Sequence, residues 1–193
     1  DSAALARMSR VADKYGLPVS LYNVPWPSER TEAAFGAMVR IDDLFGENGE
    51  SYGGRQLLQG AAAALRRHHP AARVWHDPGA KNASEMAEWA AFLDLTTTRA
   101  WLDGVVYGPG ILGGAIDFLS RLPPGYSVRF YPDICHTLTC MLPVPNWHFA
   151  WAFTAGRHFV NPLPRHQADI IRTLQNSSFT GYSVGFGAYS EGT

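Results

Sequence analysis

The chain is 193 residues long, is 46% apolar and 17% charged, and carries a formal net charge of −1 from 16 basic and 17 acidic side chains. That is enough apolar chain for one domain with a substantial core, and the composition fits a globular protein and argues against disorder. The balanced charge offers no basic stripe for nucleic acid, and no polybasic or long apolar run points to a membrane.

Taken in order, residues 3–15 read as a helix, with Ala3, Leu5, Met8, Val11 and Ala12 near 3.6 spacing and Gly16 as its stop. VSLYN at 19–23 reads as a short strand ended by Pro25-Trp26-Pro27, and 31–39 as a short helix. IDDLFG at 41–46 predicts a strand that runs into the polar loop GENGESYGG. The Ala- and Leu-rich segment 54–69 is the clearest helix, closed by Pro70. RVWHD at 73–77 predicts a strand, 84–95 a helix capped by Ser84, and GVVY at 104–107 a strand. A helix over 113–122, strand SVRFY at 127–131, helix 146–155, strand 158–161, helix 165–174 and strand 182–189 complete the chain.

Strict alternation of seven helices with seven strands implies βαβ units and a parallel sheet. The fold expected is a (β/α)8 TIM-type barrel forming one domain over 1–193, with a doubly wound sheet as the alternative. The first element is a helix and the last a strand, so such a barrel would lack its first strand and last helix. The exposed edges left by that gap predict a tendency to associate.

Chemistry in such a barrel lies at the C-terminal ends of the strands. Those ends supply Asn23 and Trp26; Glu47, Asn48 and Glu50; His76 and Asp77; Tyr107; Tyr131, Asp133 and His136; Asn161; and Tyr189, Ser190 and Glu191. Glycoside cleavage needs a protonated carboxyl on the leaving oxygen and a second group that stabilises or attacks the sugar. Glu47 and Glu50, in a glycine-rich loop, are candidates for that pair, because two close carboxylates push one pKa upward. Asp42 and Asp43 fall at the start of their strand, where they are expected to cap or to form salt bridges. If the strand were 38–41 instead, they would be the acids at the mouth.

His76, Asp77, Asp133 and His136 also allow a metal reading, in which two strands supply nitrogen and oxygen ligands. His68 and His69 end a helix and are expected to serve its dipole. The cysteines Cys135 and Cys140 are five apart, and their redox state stays open. No dinucleotide fingerprint, phosphate loop, serine-hydrolase elbow or zinc-type Cys/His spacing occurs, so no cofactor is expected.

FYPDICHTLTCMLPVPNW, GRHFVNPLPRHQADI and GAYSEG resemble segments of uncharacterised bacterial glycosidase-like barrel proteins. More distantly the chain is similar to the O-GlcNAcase/hyaluronidase-type glycoside hydrolases (family 84) and to α-glucuronidases. The resemblance spans residue 40 to the C-terminus, and it implies an enzyme acting on glycans. It aligns Glu50 with an acid in the loop after the IDDLF-like strand, Asp133 with a Tyr-Pro-Asp segment and Asn161 with an Asn-Pro segment. The distant hexosaminidases carry two consecutive aspartates at the end of this strand, whereas here Asp42-Asp43 stand earlier.

The expectation is therefore a glycoside hydrolase-like barrel acting on a carbohydrate, with Glu50, Glu47 and Glu191 as catalytic carboxylates. Asp133, His136, Asn161, Tyr107, His76 and Asp77 would hold the sugar, and Trp26 or Trp75 would stack on its ring. The rival expectations are a non-catalytic carbohydrate-binding barrel and a metal-dependent sugar enzyme.

Overall fold

The computed structural model describes residues 2–22, 28–47, 54–79, 82–108, 111, 114–130, 134–135, 164–178, 180–186 and 189–190. In chain order these form α1 (Ser2–Lys14), β1 (Ser20–Tyr22), α2 (Ser28–Ala37), β2 (Asp43–Glu47), α3 (Gly54–His68) and β3 (Arg73–Asp77). There follow α4 (Ala83–Asp94), the short α5 (Thr96–Arg99), β4 (Gly104–Tyr107), α6 (Ala115–Arg121), β5 (Ser127–Phe130) and β6 (Ile134–Cys135). The last elements are α7 (Pro164–Gln175), a 3-10 turn at Thr180–Tyr182, β7 (Ser183–Phe186) and β8 (Tyr189–Ser190).

Six strands make one parallel sheet in the order β1-β2-β3-β4-β5-β7, with β1 and β7 at its edges. This is the α/β architecture that the alternation predicts. Alternate residues divide the sheet between two faces. Leu44, Val74, Val105, Val128 and Phe130 join the core with Leu58, Leu65, Met86, Trp89 and Phe118 of the helices. The other face carries Asp43, Trp75 and Arg129, which meet each other.

That meeting fixes the shape of the sheet. Asp43 on β2 and Arg129 on β5 are three strands apart, and Arg129 is in register with Glu47 rather than with Asp43, which in a flat sheet means roughly 19 Å between backbones at about 4.8 Å per strand and 3.3 Å per residue. Yet Arg129 Nη2 lies 2.9 Å from an Asp43 oxygen. The sheet therefore curls strongly toward this face, which is its concave, inner side. Gly104 makes room on β4: a Cβ there would stand 2.2 Å from Trp75 Cζ3.

Three expectations are corrected. β5 pairs directly with β7, so no strand stands between them, and among the described residues the main sheet has six strands where seven sequential ones were predicted. The predicted 146–155 helix and 158–161 strand lie outside the described residues. The predicted last strand divides in two: Ser183–Phe186 ends the main sheet, whereas Tyr189–Ser190 pairs in parallel with Ile134–Cys135. Cys140 is outside the described residues. Finally, α4 is capped by Asn82, not Ser84. The Asn82 side chain accepts the Glu85 N–H at 3.0 Å, and an amide oxygen reaches that orphan donor only from the residue outside the first turn.

Candidate functional site

The C-terminal ends of β2 and β3 bring two carboxylate-bearing positions together. Glu47 and Asp77 close their strands as register partners, and both stand in the same alternation as Asp43 and Trp75. Their backbones are thus neighbours, about 4.8 Å apart, on the inner face. Asp77 is buried, and its Oδ1 accepts the Gly79 N–H at 2.8 Å. Gly79, with φ of 53°, supplies the left-handed turn that makes this bond possible.

Trp75 and His76 do not reach this rim. Trp75 is 1% exposed. The Arg129 guanidinium lies 3.9 Å from its ring centre and the Gly104 backbone crowds its six-membered ring, so the ring cannot stack on a sugar. His76 follows Trp75 in the strand and so occupies the opposite, helix-covered face. There the Trp89 indole donates to His76 Nδ1 at 3.2 Å, and the Phe92 ring stands 6.0 Å away. Burial, with a smaller contribution from the Arg55 charge, lowers the His76 pKa to about 3, so the ring is neutral. Its Nε2 is buried without a hydrogen-bond partner among the described residues. His76 is therefore corrected from sugar contact to core residue, and it cannot share a metal with Asp77 from the other face.

Tyr107 ends β4 half-buried, with Phe118 and Phe130 at 5.1 and 5.9 Å from its ring. Burial raises its pKa, which keeps the hydroxyl protonated. Trp26, Glu50, Asp133, His136, Asn161 and Glu191 lie outside the described residues.

At the other end of the strands, the two aspartates do what their position predicts. Asp42 Oδ2 accepts the Val19 N–H and the Arg40 Nε–H, each at 2.7 Å, and the Arg40 bond holds its pKa below the ordinary aspartate value. Asp43 begins β2 and accepts the Trp75 indole N–H at 2.7 Å and Arg129 Nη2 at 2.9 and 3.0 Å, while Arg73 Nε stands 3.5 Å away. Sequence reasoning passed over Arg129. The signal was present: in SVRF the arginine alternates with Val128 and Phe130, and a cation on one face of a buried strand requires a partner.

Among the described residues, no group of three or more His, Cys, Asp or Glu could hold a metal ion, and no helix is long and apolar enough to cross a membrane. No protein-family model matches the chain, and no curated protein matches it.

Proposed function

We propose that the chain belongs to a (β/α)8-type barrel that hydrolyses a glycan with carboxylates at the C-terminal ends of its strands. The observation that carries this reading is the register pairing of Glu47 with Asp77 on the inner side of a strongly curled parallel sheet. Two carboxyls brought close together favour one protonated and one ionised group. The protonated one donates to the glycosidic oxygen as the bond breaks, and the ionised one stabilises or attacks the anomeric carbon. In this reading Glu50 and Glu191 are further acids of the same rim, Asp133, Asn161, His136 and Trp26 bind the sugar, Tyr107 stands apart from them on the helix-covered face with Phe118 and Phe130, and no cofactor takes part.

The test is turnover of a panel of aryl glycosides by the wild type and by Glu47→Gln, Asp77→Asn, Glu50→Gln and Glu191→Gln. Loss of acid assistance typically costs about 10²–10⁴ in rate, so at least two of the four should fall by that much with folding intact. Unchanged rates in all four would refute the reading. The burial of Asp77 and its bond to Gly79 favour a second reading, a barrel that binds a glycan without cleaving it, with Asp77 holding the β3–α4 turn. Saturable glycan binding by a wild type that never turns over would select it.

A further inference from the structure

Around Asp43 the inner face holds more cation than that carboxylate requires. Asp43 is nearly fully buried and already accepts the Trp75 indole N–H and two contacts from Arg129 Nη2. One arginine neutralises one aspartate, yet Arg73 stands beside the same carboxylate, 3.5 Å from Oδ1. Both guanidiniums gather over the Trp75 ring, at 3.9 Å for Arg129 and 5.2 Å for Arg73. The trio therefore carries a net charge of +1, from two arginines and one aspartate.

The hydrogen-bond inventory has the same imbalance. Arg129 spends Nη2 on Asp43, and among the described residues its Nε–H and both Nη1 hydrogens have no acceptor. Among the described residues Arg73 has no hydrogen bond, only its 3.5 Å contact with Asp43. These donors are held in place by stacking and by Asp43, and they are within reach of solvent, with side chains 26% and 51% exposed. A positioned guanidinium is a good receptor for carboxylate and oxyanions, since its planar donors match theirs and lose little freedom on binding.

We propose that Arg73 and Arg129, assembled over Trp75 around Asp43, form an anion-binding site at the strand-start end of the inner face. Asp43 and Arg73 are the first residues of their strands, so this site lies at the opposite end from Glu47 and Asp77. Its ligand is a small oxyanion, or a carboxylate carried on a larger molecule. The proposal does not depend on the hydrolytic reading.

The experiment titrates the whole chain with sodium sulfate, sodium phosphate and sodium acetate, with chloride at matched ionic strength as the control. It follows the arginine Nε–Hε resonances by NMR and the melting temperature. The expected result is saturable movement of the Arg129 and Arg73 resonances with a rise in melting temperature that chloride does not give. Saturation by sulfate or phosphate alone assigns a free oxyanion, and saturation by acetate as well assigns a carboxylate-bearing ligand. Arg73→Gln is the informative variant, because Arg129 still neutralises Asp43 and the fold survives; it should weaken binding tenfold or more. Arg129→Lys keeps the charge without the planar donors and should weaken it further. Shifts that never saturate, shifts equalled by chloride, or an unchanged affinity in Arg73→Gln would overturn the proposal. Glu47→Gln should leave anion binding intact, so failure of the hydrolytic reading and failure of this one are separable.

Discussion

Replacing Gly104 by alanine tests the packing of the inner face at its tightest point. The added methyl would meet Trp75 Cζ3 at 2.2 Å, Trp75 Cε3 at 2.5 Å and the Ser127 carbonyl oxygen at 2.8 Å. A flexible neighbour could give way, but neither of these can. Trp75 is pinned by its 2.7 Å bond to Asp43 and by the guanidinium over its ring, and Ser127 O is β5 backbone. Overpacking a core typically costs about 1–3 kcal/mol, and blocked relaxation on both sides puts Gly104→Ala at or above the top of that range. For a chain of this size about 3 kcal/mol corresponds to a fall in melting temperature of roughly 6–12 °C. Urea and thermal unfolding of the wild type, Gly104→Ala, Trp75→Leu and the double variant measure it. In the Trp75→Leu background the methyl has space, so the two costs should fail to add by more than about 0.5 kcal/mol. A loss below about 1 kcal/mol for Gly104→Ala, or strict additivity, would refute the account of Trp75 as an immovable filler.

Asp43→Asn should destabilise by about 3–5 kcal/mol in denaturant unfolding, because it leaves Arg129 part-buried without its counter-charge; a cost under 1 kcal/mol would show that water replaces the carboxylate. His76 is neutral when folded, with its pKa lowered from 6.5 to about 3, so the unfolded chain binds the extra proton between those values. Stability contributed by neutral His76 is complete above pH 6.5 and is lost progressively toward pH 3. His76→Phe should flatten that part of the stability curve, and an unaltered slope would contradict the burial. Asn82→Ala should cost about 1 kcal/mol of stability through the lost cap, whereas Ser84→Ala should cost almost nothing.

The sequence made the βα alternation legible because parallel strands buried on both faces leave strong local marks. RVWHD and GVVY were placed to the residue, and the glycine and proline stops bounded α1 and α3. Asp42 and Asp43 were legible as strand-start acids, since IDDLFG allows only a short shift of register. What stayed hidden depended on partners distant in sequence. Nothing near residue 130 announces that β5 skips to β7, because strand neighbours are chosen by contacts that periodicity does not encode. His76 was read as a rim residue because it lies at the end of its strand, and Trp75 as a ring that stacks on the sugar. Alternation within RVWHD already divided the two between faces, but which face was inner depended on Asp43 and Arg129.

The bond between Asp43 and Arg129 joins residues 86 apart in sequence. During synthesis Asp43 emerges long before Arg129, and burying it early would leave the carboxylate with only the Trp75 N–H and the looser Arg73 contact. The first three strands thus gain little by closing on themselves until β5 arrives, and a contact of such separation carries a large loop-closure cost before it is rewarded. Folding should therefore be late and all-or-none across β2 to β5, with few stable partial forms. A chain cut anywhere between β4 and β5 would keep a charged seam on its inner face beside a core that lacks Val128 and Phe130, a substrate for chaperones and proteases rather than a smaller domain.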